Sequence, residues 1–243
     1  MTRLRWRKPA LLSSVVFLGL ALLFLAAARW QWQRAEFKLE RAADFAQSLR
    51  EPAQRSLADA LHAPDPRGFE QVQVEGELDL DRAVLLDNQI RDGQYGVEVF
   101  APLRDRSGAV VLAGLGWIAA DRSRQQAPRL PPVTRHIASV ALLTSPPSAG
   151  LQLGAAAAEE ATFPLLSTRI DPQALRGVLG LPGLAGQVVL LPPDAASGFV
   201  RAWHLTGLSA DKHRGYALQW SSFAIGTLVF YVLWHRPRKG SSA

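Results

Sequence analysis

Cysteine is absent from the 243 residues. Disulfides are therefore excluded, and so are thiolate ligands for soft metals. Methionine occurs once, as Met1, which removes the thioether copper site and argues against copper delivery by this chain. Catalytic signatures are missing too: there is no G-x-S-x-G, no H-E-x-x-H, no P-loop and no G-x-G-x-x-G, and Gly114-Leu115-Gly116 is too short to count. Asp79 and Asp81 alternate and would share a face, but a solvated turn is the simpler reading than an acid/base pair. Enzyme chemistry has no positive support, and no internal repeat is visible.

Charge is the next absence. No charged residue occurs from Ala10 to Ala28, nor from Gly215 to Trp234. Each run matches the roughly 20 residues needed to cross a hydrocarbon layer. The first run ends in Ala26-Ala27-Ala28, which leaves signal-peptide cleavage as an alternative. Arg29-Trp30-Gln31-Trp32 reads as an interfacial aromatic belt and favours an uncleaved anchor.

The surplus of positive charge has an address. Of 27 basic residues, seven lie outside the apolar runs at the two ends: Arg3, Arg5, Arg7 and Lys8, then Arg236, Arg238 and Lys239. The other 20 face 21 acidic residues, so the middle of the chain is near neutral. The basic balance is thus a topology signal and not a nucleic-acid signal. Basic flanks stay cytoplasmic. The expected organisation is a cytoplasmic tail over residues 1–9, a first transmembrane helix over 10–29 and a periplasmic domain over 30–214. A second transmembrane helix over 215–234 and a cytoplasmic tail over 235–243 complete it. Both termini then lie inside an inner, cytoplasmic membrane. Tails this short leave no room for a signalling domain, which disfavours a sensor.

Between the spans the patterning is mixed. Arg34 to Glu51 continues the first span with helical spacing at Phe37, Arg41, Phe45 and Leu49, and Pro52 ends it. A short helix is expected over Ser56–His62, and another after the Asp171-Pro172 cap, to about Gly180. Val72 and Val74 alternate with polar residues until Gly76 interrupts. Val97, Val99 and Ala101 alternate until Pro102 stops the run; Asp105-Arg106-Ser107-Gly108 turns, and 109–113 returns as a strand. Further strands are expected at Ile137–Leu143, Gln187–Leu191 and Val200–Leu205. Loops are marked at Pro128–Pro132 and Ser145–Gly150, and Ala155–Ala161 carries little information. The fold class is α+β, built on an antiparallel sheet with a few helices.

Two constellations flank the membrane entries. His213, Tyr216 and Trp220 fall at i, i+3 and i+7, on one helical face. An imidazole above two aromatics suits a flat apolar ring, and histidine is a common axial ligand of haem iron. The plainer alternative is an interfacial anchor. Trp30, Arg34 and Lys38 form a second stripe at i, i+4 and i+8. It suits an anionic group such as a propionate or a lipid phosphate; the alternative is a belt with snorkelling bases.

Four blocks, in order, resemble the Surfeit-locus protein one family. They are Trp30-Gln31-Trp32-Gln33-Arg34 with Lys38 beyond; Tyr95-Gly96-Val97-Glu98-Val99-Phe100-Ala101-Pro102-Leu103; Val111 to Ile118; and Ala210 to Trp220 with His213, Tyr216 and Trp220 in place. The chain departs from the family pattern at Gly114-Leu115, where an Asn-Arg pair is usual, and at Ala210-Asp211, where Pro-Asn is usual. The resemblance implies an assembly factor for haem-copper cytochrome c oxidase that works in respiratory-chain biogenesis and performs no catalysis. It also implies haem a as a transiently held cofactor, with His213 as the iron ligand. Tyr216, Trp220, Trp30, Arg34 and Lys38 would line the site. The implied partners are the oxidase core subunit, other oxidase assembly factors and the lipid bilayer, and no nucleic acid. The rival reading is a membrane-anchored scaffold that stabilises an assembly intermediate without binding haem.

Overall fold

The computed structural model describes residues 11–65, 67–121, 128–147, 162–194, 197–201 and 209–236. The N-terminal tail, Arg238 and Lys239, the Ala155–Ala161 stretch and most of the expected Val200–Leu205 strand lie outside them, as does Ser145–Gly150 from residue 148 on. The chain divides into two compact units, residues 43–206 and residues 1–42 with 207–243.

The unit of residues 1–42 and 207–243 is a helix pair. Helix α1 spans Leu11–Ser48, its last turns belonging to the other unit; helix α4 spans Ala210–Trp234, the last of four among the described residues. At 1.5 Å per residue, α1 is about 57 Å long and outlasts a ~30 Å hydrocarbon layer. Both helices are long and apolar enough to cross a membrane, and only 11% of each apolar window is buried inside the protein. A core helix of a water-soluble domain would hide that surface; here it faces outward, consistent with a membrane anchor.

The pair runs antiparallel. Ser14 Oγ bonds to Tyr231 Oη at 2.8 Å, Phe17 packs on Phe230 and Tyr231, and Phe24 stacks on Trp220. The buried positions recur every seven residues: Ala21, Ala28 and Ala35 on α1, Ala217 and Ala224 on α4. A seven-residue repeat keeps one seam in contact along both helices, and alanine lets the backbones come close.

In residues 43–206, β1 (Arg55–Ser56) leads into α2 (Leu57–His62). β2 (Phe69–Leu78), β3 (Val84–Arg91), β4 (Gln94–Asp105), β5 (Val110–Ala119) and β6 (His136–Thr144) follow. β7 (Leu165–Ser167), α3 (Pro172–Leu179) and β8 (Leu184–Leu190) complete it. Ser56 caps α2 by accepting from Asp59 N–H, and Asp171 caps α3 with Pro172 in its first turn.

The expectation of an antiparallel sheet needs correction: the sheet is mixed. β2–β6, β6–β8, β3–β4, β4–β5 and β2–β4 are antiparallel; β1–β2, β3–β7 and β5–β8 are parallel. Because β2 pairs with both β6 and β4, the strands β2, β4, β5, β8 and β6 close on themselves. The result is a five-stranded barrel of the OB kind, where closure removes sheet edges. Neither Gly76 nor Pro102 ends its strand. At Gly76 β2 passes from β6 towards β4, and a Cβ there would stand 2.1 Å from the Arg104 carbonyl oxygen, so closure demands glycine. Pro102 sits inside β4 opposite Leu112, and its carbonyl accepts from Asp79 N–H.

Two cores follow from strand alternation. Val72, Val74, Val99, Ala101, Leu103, Val111, Ala113, Leu115 and Val189 point into the barrel. Phe100, Leu112 and Val188 point outward and meet Val84, Leu86, Leu165, Leu175 and Leu179. Strands buried on both faces read as continuous apolar runs. The outer face of β4 and β5, which such barrels use for oligonucleotides, is therefore packed under β3, β7 and α3.

The end of α1 is tied to the barrel within this unit. Gln71 Nε2 donates to the carbonyls of Ser48 and Glu51, each at 2.9 Å, and Phe45 meets Phe69 edge-on. Arg67 grips Glu51 and Asp65 together. Its donated hydrogen bonds hold both carboxyls below their usual range, and they push the guanidinium up in turn.

Candidate functional site

Histidine 213 stands in the first turn of α4, whose start is fixed by the Ser209 hydroxyl accepting from Lys212 N–H. Its side chain is 7% exposed. Nδ1 lies 2.7 Å from Gln31 Oε1 on α1. The two residues continue the aromatic seam: Phe17, Phe24 and Gln31 are seven apart on α1, and Trp220 and His213 are seven apart on α4. The seam therefore runs from the Ser14–Tyr231 bond through the Phe–aromatic contacts to the Gln31–His213 pair. With Oε1 facing the ring, the contact suits an Nδ1–H donor, the tautomer in which Nε2 carries the lone pair. Nε2 makes no hydrogen bond, and the one fully enclosed side-chain nitrogen without a partner among the described residues is Arg169 Nε. Nε2 is therefore not fully enclosed.

The other expected residues divide into two groups. Trp220 is in the seam, stacked on Phe24 at 5.8 Å and edge-on to Phe223, so its ring is already engaged. Tyr216 is off the seam and 45% exposed; Trp30 is 59% exposed. With about 100° per residue and antiparallel helices, Trp30 and Arg34 turn to the same side of the pair as Tyr216. Trp30 lies nearly level with Tyr216, and Arg34 one turn beyond it. The Arg34 guanidinium lies 5.2 Å from the Phe37 ring centre. Lys38 falls seven residues past Gln31, near the seam line, and is half-buried. The helix pair thus offers a buried imidazole whose Nε2 is not fully enclosed, with two exposed aromatics and Arg34 turned to one side of the pair. This donor set fits a haem: nitrogen for iron, aromatic faces for the macrocycle and a guanidinium for a propionate.

Sequence spacing missed Gln31, the side chain hydrogen-bonded to His213. Its signal was heptad spacing with Phe17 and Phe24, legible only once the antiparallel register pairs α1 with α4. No group of three or more His, Asp or Glu side chains clusters as a metal site among the described residues.

The two middle blocks also meet each other. Gly96, Val97 and Glu98 pair with Ala119, Ile118 and Trp117 across β4 and β5. Trp117 lies over Gly96, where a Cβ would stand 2.3 Å from the ring. Trp117 Nε1 donates to the Gln89 carbonyl at 2.7 Å, Arg91 bridges to Glu98, and the Tyr95 hydroxyl donates to Asp87. Where the resemblance expects Asn-Arg, Leu115 fills the barrel core and its carbonyl accepts from Arg201 Nε at 2.6 Å. Burial pushes the Arg201 guanidinium down, with Asp194 opposing. The four blocks thus reduce to two contacts, one inside each unit.

The model of the SURF1 family matches residues 18–225. No curated protein matches the chain.

Proposed function

Because the chain belongs to the SURF1 family, a family linked to assembly of cytochrome c oxidase, we propose that it is an oxidase assembly factor that holds haem a as cargo for the core subunit. The observation that supports this is the buried His213 side chain, bonded to Gln31 through Nδ1, on a helix pair that leaves Trp30 and Tyr216 exposed on one side. His213 would supply the axial nitrogen. Trp30 and Tyr216 would receive the macrocycle in the apolar zone, and Arg34, with Lys38 further along the same helix, would meet the propionates. Charge-assisted contacts of that kind are roughly twice as strong as neutral ones. Apart from the coordinate bond from His213 to iron, no bond would be made or broken by the protein itself. Residues 1–9 and 235–243 would lie in the cytoplasm and residues 30–214 in the periplasm, which brings His213 to the outer membrane–water boundary. The partners would be the core subunit and other assembly factors.

The test is to co-express the protein with haem a synthesis and purify it. The wild type is expected to carry a Soret band. His213→Ala loses most of it while still inserting, and His136→Ala, on β6, keeps it. Equal haem content in wild type and His213→Ala overturns the axial role. Absence of haem from both leaves a scaffold that stabilises an assembly intermediate.

A further inference from the structure

We propose that Gln31 is the positioning residue of this site: its side-chain oxygen fixes the tautomer and ring angle of His213, and so presents Nε2 as a ready ligand. This rests on the haem reading above and deepens it. The observations are the 2.7 Å contact, the burial of His213 and the placement of both residues on the one seam of the helix pair. A neutral histidine side chain in water carries its proton mainly on Nε2, the wrong nitrogen for an Nε2 ligand. A metal-bound histidine almost always donates its other N–H to an acceptor, which orients the ring and raises its basicity. Gln31 Oε1 is such an acceptor, and it is neutral. A neutral acceptor leaves the imidazole a moderate donor, which suits a cargo that has to be released. A carboxylate there would strengthen the iron–nitrogen bond and slow release.

The same bond ties ligation to the helix pair. Gln31 is on α1 and His213 on α4, so the bond exists only while the two helices are in register. With the Ser14–Tyr231 bond near the other end of the pair, this polar contact also specifies that register, as a buried asparagine does in a coiled coil.

The experiment uses the full chain in detergent with ¹⁵N-labelled histidine. His213→Asn assigns the His213 signals among the five histidines. Wild type is expected to show the Nδ1–H tautomer at His213. Gln31→Leu shifts it towards Nε2–H and weakens haem a binding about 10–100-fold, the usual cost of losing such a partner. Gln31→Glu keeps the Nδ1–H tautomer, binds haem a at least as tightly as wild type and lowers the iron midpoint potential. That last change is one a merely structural role would not produce. An Nε2–H tautomer in wild type overturns the proposal, as does unchanged tautomer and affinity in Gln31→Leu. If the tautomer follows Gln31 but no variant binds haem, the haem reading falls and the ligand-positioning role with it, leaving Gln31 as a staple of the helix pair.

Discussion

Single residues decide where the backbone comes close. Gly96 lies beneath Trp117, and an added Cβ would stand 2.3 Å from both the ring and the Ile118 carbonyl oxygen. Neither neighbour is the free end of a flexible chain. Gly96→Ala is therefore expected to cost about 1–3 kcal/mol by overpacking, read as a lower thermal midpoint of the barrel's near-ultraviolet dichroism; an unchanged midpoint would show that the ring is free to move. Asp105 secures the barrel closure. Burial pushes its carboxyl up, but the Ser107 hydroxyl and the N–H groups of Ser107, Glu75 and Arg106 outweigh this and hold it below its usual value. A carboxyl depressed in the folded state adds stability above its unfolded pKa of about 3.9 and loses it as pH falls through the folded value. The gap in midpoint between wild type and Asp105→Ala should be full at about pH 6 and narrow below about pH 4. A constant gap would remove Asp105's charge from the account.

At the scale of elements, the heptad repeat of the helix pair makes a geometric prediction that the cysteine-free chain makes clean to test. Ser14 meets Tyr231, Phe24 meets Trp220 and Gln31 meets His213. That register brings Ala28 level with Ala217. Ala28→Cys with Ala217→Cys should form a disulfide under mild oxidation, detected by mass spectrometry of linked peptides. Ala28→Cys with Ala224→Cys is displaced by seven residues, about 10 Å along the axis, beyond disulfide reach. Linkage of the second pair in preference to the first would mean a different register and a different partner for His213. Among the strands, β3 and β7 are the elements the alternation pattern does not disclose. Val84-Leu85-Leu86 is a short apolar run, compatible with strand or helix. It becomes a strand because Leu85 enters the barrel core while Val84 and Leu86 enter the outer one.

For the whole molecule, the distribution of charge predicts orientation. The basic residues flanking the apolar runs should keep both ends in the cytoplasm. A reporter fused after Leu151 is expected to be active only in an extracytoplasmic assay, and one fused at Ala243 only in a cytoplasmic one. Cytoplasmic activity of the Leu151 fusion would sink the two-span arrangement. The outward-facing apolar surface of both helices belongs to the same scale. It is suited to lipid or to other membrane helices.

The two long apolar helices, the start of α3 and most strands were legible in the sequence because their causes are local: runs without charge, the Asp171-Pro172 cap, alternation in β2 and β4, and the turn between β4 and β5. The four blocks were legible as a pattern, though not as contacts. What tertiary structure alone decided is which blocks meet. The closure of the barrel at Gly76 and Asp105 joins residues 29 positions apart, and the parallel pairing of β5 with β8 turns an expected antiparallel sheet into a mixed one. The Gln31–His213 bond joins residues 182 positions apart. Helical spacing placed Tyr216 and Trp220 beside His213 because they share its helix; it had no term for a side chain on another helix, and that is where the hydrogen bond is made.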